Sequence, residues 1–152
     1  MDEERVMAAN RGLLAADKRY LAGVIHQVWR ACQGFVSVVM ERGPEDAFFV
    51  LDELDEWAAA QRRRLSGRTA RRPAGLSAQG LRVARELLDD VSTFCSAIGD
   101  MVARLRASPL SPDEVEEECL MIVDGFVAWT HRMATQLGLS RNLRPQVIWP
   151  LR

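Results

Sequence analysis

The chain has few of the residues that commonly mark a function. Among its 152 residues are two histidines, three cysteines and one tyrosine, and Lys18 is the single lysine among 20 basic residues. Apolar and polar residues do not alternate with period two over any length, which argues against β-strands. No apolar run approaches the roughly 20 residues of a membrane-spanning helix, and the opening Met-Asp-Glu-Glu-Arg lacks the apolar region of a signal peptide. We therefore expect a cytoplasmic protein, or one acting in a host cytosol, with no membrane partner.

The charges of the chain are nearly balanced, with 20 basic and 21 acidic residues and a formal net charge of −1. A general nucleic-acid binder needs a surplus of basic residues to displace counterions from phosphates. We therefore do not expect nucleic acid as a partner. The stretch from Met133 to Arg141 resembles the turn of a helix-turn-helix motif, with a recognition helix starting at Ser140. Pro145 would break that helix within two turns.

Apolar residues recur with helical spacing, most clearly between Leu81 and Leu105. Steps of three and four place these side chains on one helix face, which must be buried. The stripe consists of Ala84, Leu87, Val91, Phe94, Ile98, Met101 and Leu105. Three other segments behave similarly, with serine or proline at helix starts and glycine at helix ends. These signals predict helices over 14–42, 44–65, 77–106 and 112–137.

Short connections between long helices imply antiparallel neighbours. We predict an all-α protein, an antiparallel up-down four-helix bundle with an extended C-terminal tail. Residues 1–152 form one domain, in which 1–138 is the bundle and 139–152 is the tail. The apolar stripe of the first helix, which includes Leu14 and Met40, is wider than one seam, so this helix should touch two or three neighbours.

The cysteines and histidines do not indicate a catalytic or metal site. Cys32, Cys95 and Cys119 each lie in an apolar stripe without a second Cys or His at metal-ligand spacing. We expect three buried, reduced thiols; the alternative, a redox pair, depends on which helices touch. His26 and His131 each follow a core residue by two positions, where we expect solvent. We predict no catalytic residue and no cofactor.

The acidic residues offer an enzymatic alternative. The second helix carries Asp52, Glu53 and Glu56, and the third carries Glu86 and Asp89. This layout resembles the all-helical nucleoside triphosphate pyrophosphohydrolases of the MazG type, which use Glu-Glu-x-x-Glu followed by Glu-x-x-Asp on the next helix. The resemblance covers Asp52 to Asp89 and implies a Mg²⁺-dependent enzyme in which these carboxylates hold the metal. The other interpretation is a solvated helix face, since Glu86 and Asp89 lie away from the apolar stripe.

Two groups of residues point instead to binding of another protein. A run of arginines spans the end of the second helix and the following loop, where it can grip phosphate or an acidic partner, or simply solubilise the loop. The run comprises Arg62, Arg63, Arg64, Arg68, Arg71 and Arg72. In the tail, Val147, Ile148 and Trp149 are apolar and should cover either the end of the bundle or a partner.

The sequence thus favours a non-enzymatic interaction or regulatory module that binds another protein, because the core contains no inward polar constellation and no buried histidine. A bundle that mimics or blocks a host protein would differ only in its partner. We also expect a homodimer. Gly12, Gly23 and Gly34 recur every eleven residues along the wide first helix and permit close approach by another helix, and a symmetric contact would also cover the tail.

Overall fold

A computed structural model shows four long helices; the structure describes residues 4, 10–66 and 75–139. They are α1 (Ala15–Arg42), α2 (Phe48–Ser66), α3 (Ala78–Ala107) and α4 (Pro112–Gln136), with a 3-10 helix (Pro44–Ala47) before α2. The described residues contain no strand. The predicted all-α four-helix fold is therefore confirmed, and the difference is that the second helix begins as a 3-10 turn. Within the described ranges, no helix has the length and apolarity needed to cross a bilayer.

The ends of the helices follow the chemistry of their capping residues. The hydroxyls of Ser77 and Ser111 each accept a hydrogen bond from the backbone amide three residues further on, at 3.0 and 3.2 Å. These bonds satisfy amides that the first turns of α3 and α4 leave unpaired. Gly43 and Gly138 follow α1 and α4 with positive φ angles of 91° and 65°, which glycine adopts without a steric penalty.

In the bundle, α1 packs against each of the other three helices. This confirms the expectation drawn from its wide apolar stripe. Phe35 on α1, Leu87 and Ile98 on α3 and Phe126 on α4 are among the largest fully buried side chains. The up-and-down order of the helices stays a prediction.

The predicted tail is described only at its first residue. Leu139, assigned to the tail, is buried, and its backbone amide donates to the carbonyl of Ala134 at 2.9 Å. Leu139 therefore packs on the end of the bundle. The remaining tail residues, 140–152, lie outside the described residues. They include Ser140 and Pro145, on which the helix-turn-helix interpretation depends.

The predicted stripes of α1 and α3 are largely buried, but three of their residues are exposed. Leu14, Met40 and Met101 are 57%, 50% and 40% exposed, whereas Val39 and Val102 are buried. The predicted stripe on α3 assumed one seam, but α3 packs against α1, α2 and α4. Its buried surface is consequently wider and includes residues outside that stripe, namely Val83, Leu88, Cys95 and Val102.

On α4 the buried face also includes residues beside the seam. Ile122 and Trp129 are half-buried, and Val123 and Thr130, which follow them in the chain, are buried. His131 follows Thr130 and is consequently half-buried rather than solvated as predicted. Its Nε2 is buried and has no hydrogen-bond partner within the described ranges.

The predicted glycine line on α1 does not bring another backbone close within the chain. Gly12 and Gly34 face side chains, and a Cβ at Gly23 would meet nothing within 4 Å. The tight approach lies instead at Gly80, in the first turn of α3, where a Cβ would overlap the carboxylate of Asp17 on α1.

The three cysteines are buried and free, as predicted. Burial raises the pKa of Cys32 far above its ordinary value, and nearby Cys95 adds to the effect. Burial also raises the pKa of Cys95 to about 12, with the charges of Asp55 and Asp52 contributing. Both thiols are therefore protonated at neutral pH and are poor nucleophiles.

Candidate functional site

One buried carboxylate joins the first turns of α1 and α3. Asp17 is fully buried, and its Oδ2 accepts hydrogen bonds from the Leu14 amide at 2.9 Å and the Ser77 hydroxyl at 2.6 Å. Its Oδ1 accepts from the Ser77 amide at 2.8 Å. We call this group the Asp17–Ser77 junction. We predicted no inward polar constellation, and no sequence signal indicated this one, because Leu14 lacks the side-chain oxygen that identifies a capping motif.

Hydrogen bonds within the junction stabilise the charge of the Asp17 carboxylate. Burial by itself raises the pKa of Asp17, but hydrogen bonds from the Ser77 hydroxyl and from the Leu14 and Ser77 amides outweigh burial and hold the pKa below its ordinary value. Asp17 is therefore ionised at neutral pH. Its role is to connect two helix starts, where the helix dipoles also favour negative charge.

The five carboxylates of the enzymatic alternative are not brought together as a metal site. Asp52, Glu53 and Glu56 are exposed on α2, while on α3 Asp89 is exposed and Glu86 is half-buried. All five are described residues, and the described ranges contain no group of three or more His, Cys, Asp or Glu that could hold a metal ion. These residues do not fit the Mg²⁺ that the resemblance implies.

An open cleft lies instead between the last turns of α2 and the facing part of α3. Its volume is about 350 Å³. Three of its side chains are guanidinium groups and one is a carboxylate, so its fixed charge is positive. We call it the arginine cleft; it is lined by Ala59, Arg62, Arg63, Ser66, Arg85 and Asp89.

Arg85 is the most constrained cation of the arginine cleft. Its Nη2 donates to the Leu65 carbonyl at 2.9 Å, and so satisfies one of the carbonyls left unpaired at the end of α2. Its Nε is buried and finds no hydrogen-bond partner in the described part of the chain. A buried donor without a partner costs about 1–3 kcal/mol. Arg85 thus places a guanidinium with an unsatisfied, buried N–H at the arginine cleft.

The other two arginines of the cleft differ in their partners. Arg62 forms an ion pair with Asp89 across the cleft, with the two side chains 40% and 58% exposed. At that exposure the pair stabilises the fold by about 1 kcal/mol or less. Arg63 is exposed and makes no hydrogen bond or ion pair with the described residues.

The structure divides the predicted arginine group. Arg62 and Arg63 line the cleft, whereas Arg64 lies near Tyr20 on α1. Burial raises the pKa of Tyr20, and the charge of Arg64 partly opposes that rise. The Tyr20 hydroxyl donates to Gln61 Oε1 at 3.1 Å, which ties α1 to α2 beside the cleft. Outside the described residues lie Arg68, Arg71 and Arg72, together with Val147, Ile148 and Trp149 of the tail.

Arg85 is the cleft residue that sequence reasoning missed. It lies on the third helix rather than in the arginine run. One signal was present, because Arg85 and Asp89 are four residues apart and so share a face of the helix. That signal does not reveal which helix end the face meets.

Comparisons with known proteins leave the site to be interpreted from its chemistry alone. The chain has no match among protein-family models, curated proteins or solved structures.

Proposed function

We propose that the protein is a non-enzymatic interaction or regulatory module, and that its arginine cleft holds an acidic segment of another protein. The observation that carries the proposal is the buried, unpartnered Nε of Arg85 in a cleft that also contains Arg62 and Arg63. Arginine is suited to this task because its planar fork of donors matches the two oxygens of a carboxylate.

The geometry favours a carboxylate over a general attraction to negative charge. Since Arg85 is held by the Leu65 carbonyl, little side-chain freedom is lost when an acceptor arrives. Binding that shifts the guanidinium and brings an acceptor to the buried Nε would also satisfy this donor, which an exposed arginine elsewhere does not offer. One Glu or Asp side chain is therefore expected to enter the cleft, with neighbouring acidic residues contacting Arg62 and Arg63.

A titration with short peptides tests the proposal. A fluorescently labelled Glu-rich peptide should bind, and its Gln-rich counterpart of equal length should not. Arg85→Gln and Arg63→Gln should each weaken binding by about tenfold, the effect of losing a charge-assisted hydrogen bond of about 1.4 kcal/mol. Arg132→Gln is the matched control, because Arg132 is exposed on α4, away from the cleft.

Two results would count against this function. Equal binding of the Glu-rich and Gln-rich peptides would show that charge does not select the ligand. A loss of peptide binding in Arg132→Gln as large as that in Arg85→Gln would show that the arginine cleft is not the binding site. Inorganic phosphate as a competitor separates a carboxylate site from a general anion site. Release of pyrophosphate from nucleotides with Mg²⁺, lost in Glu53→Gln and Glu86→Gln, would instead establish the enzymatic alternative.

A further inference from the structure

A second cleft lies between α1 and α2, on a surface that does not share a residue with the arginine cleft. Its volume is about 420 Å³. Ala31, Gly34 and Val38 line it from α1, and small side chains at these positions keep it open. A Cβ on Gly34 would lie 3.8 Å from Val50 Cγ1, an ordinary contact, so the missing side chain leaves usable space. We call this the α1–α2 cleft.

An exposed aromatic ring lies on the wall of the same cleft. Phe49, in the first turn of α2, is 49% exposed although it is one of the larger apolar residues of the chain. Large exposed apolar side chains beside an open groove are typical of interaction surfaces. The α1–α2 cleft therefore combines a protruding apolar group with a space that would accept one.

Two unpaired charges of opposite sign flank the cleft. Arg30 lies on the α1 wall and Glu53 on the α2 wall, and both are exposed. Neither makes an ion pair or hydrogen bond with the described residues. A partner that carries one sign of charge would match only one wall. A surface with a cation on one wall and an anion on the other is complementary to its own copy after a two-fold rotation.

We infer that the α1–α2 cleft is the contact surface of a symmetric homodimer. Phe49 of each subunit enters the cleft of the other above Gly34, and Arg30 of each subunit pairs with the partner's Glu53. The two-fold axis repeats both contacts, as an isologous interface requires. The inference locates on this cleft the self-association that the sequence of the first helix predicted. It does not depend on the acidic partner of the arginine cleft.

Analytical ultracentrifugation of the full chain tests the interface with charge reversal. Wild type, of 17.1 kDa per chain, should approach twice that mass at tens of micromolar. Arg30→Glu and Glu53→Arg should each weaken the dimer at least tenfold, because each homodimer would place like charges opposite each other twice. An equimolar mixture of the two variants should dimerise as wild type does, since the mixed dimer contains two opposite-charge pairs.

An aromatic variant and its control separate the apolar contact from the charges. Phe49→Ala should weaken the dimer at least tenfold, whereas Met121→Ala should leave it unchanged, because Met121 is 63% exposed on α4. Circular dichroism and thermal melting verify that the variants fold; all of these side chains are exposed, so the helical signal should persist.

Three results would overturn the inference. Wild type that remains a monomer at hundreds of micromolar would exclude the dimer. A dimer unaffected by Phe49→Ala and by both charge reversals would place the contact on another surface or in the tail. Charge-reversed variants that stay monomeric when mixed would disprove the Arg30–Glu53 pairing. None of these results bears on the arginine cleft, whose test is peptide binding.

Discussion

Two polar regions of α3 differ in whether the chain satisfies their hydrogen bonds. At the start of the helix, the Asp17–Ser77 junction is buried, and both carboxylate oxygens accept hydrogen bonds from the chain itself. At Arg85, further along the same helix, one N–H is used by the Leu65 carbonyl and the buried Nε is not used by any described residue. The first region is complete and stabilises the fold. The second leaves a donor without a partner among the described residues, and for that reason we propose it for partner binding.

Removal of the Asp17 carboxylate should produce the largest change in stability. Asp17→Ala leaves the Leu14 and Ser77 amides and the Ser77 hydroxyl without their acceptor in a buried site. We expect the free energy of unfolding to fall by about 3–5 kcal/mol, as for a broken buried polar network. Urea denaturation measures the loss. Asp89→Ala is the matched control and should cost about 1 kcal/mol or less, because its ion pair is exposed. Equal losses would erase the contrast between the two regions.

Gly80→Ala should also destabilise the protein, although alanine is the better helix former. The added Cβ would overlap the Asp17 carboxylate, which is fixed by its hydrogen bonds. We expect a net loss of about 2 kcal/mol from the forced displacement of that network. Gly99→Ala, in the same helix with nothing within 4 Å of the new Cβ, should instead stabilise by up to about 1 kcal/mol. Stabilisation by both substitutions would show that α1 and α3 are not in tight contact at the junction.

The junction should make stability depend on acid pH in a defined direction. The pKa of Asp17 is held below the ordinary value of 3.8, so the folded state binds this proton less readily than the unfolded state does. The stabilisation is therefore complete above the unfolded-state pKa and is lost as pH falls through the lower folded-state pKa. Below pH 5, the free energy of unfolding should fall further for wild type than for Asp17→Asn, because that variant lacks the titrating carboxyl group. In an unfolded chain an aspartate carboxyl group has a pKa of about 3.9. Parallel curves for the two proteins would contradict this assignment.

In the arginine cleft, removal of a carboxylate should have the opposite consequence for function. Asp89→Asn frees Arg62 from its ion pair and removes the negative charge from the cleft. We expect binding of the Glu-rich peptide to strengthen about threefold, or roughly 0.7 kcal/mol, with little change in stability. Fluorescence anisotropy measures the change, and Asp100→Asn, exposed on α3 outside the cleft, is the control. Weaker binding would mean that Asp89 positions Arg62 rather than competing for it.

The helices could be predicted from the sequence because residues at the helix ends themselves determine where each helix begins or ends. Ser77, Ser111, Gly43 and Gly138 mark boundaries through their own side chains or their own φ angles, so the four segments could be read from the chain. Which residues meet across helices is not local. Arg85 has a role because the end of α2 lies beside it, and no spacing within α3 contains that information.

The same distinction explains the errors in the predicted core. A single apolar stripe locates the buried face of a helix that has one neighbour, but α3 has three neighbours. Met101 is exposed and Val102 is buried because all three contacts together determine the buried surface of α3. The carboxylates at Asp52 to Asp89 had the spacing of a metal site, yet spacing along the chain does not determine convergence in space.

The most direct test of the account is the NMR signal of the Arg85 Nε–H group during titration with the Glu-rich peptide. We expect this resonance to shift as the peptide binds, and the Nε–H resonances of Arg62 and Arg63 to shift with it. The Nε–H resonance of Arg132 on α4 should stay unchanged. Arg85→Lys should abolish the assigned signal and weaken binding, because a lysine cannot bond the Leu65 carbonyl and a carboxylate with the same planar fork. If the peptide binds without a shift at Arg85, or shifts all exposed arginines equally, the arginine cleft is not the binding site.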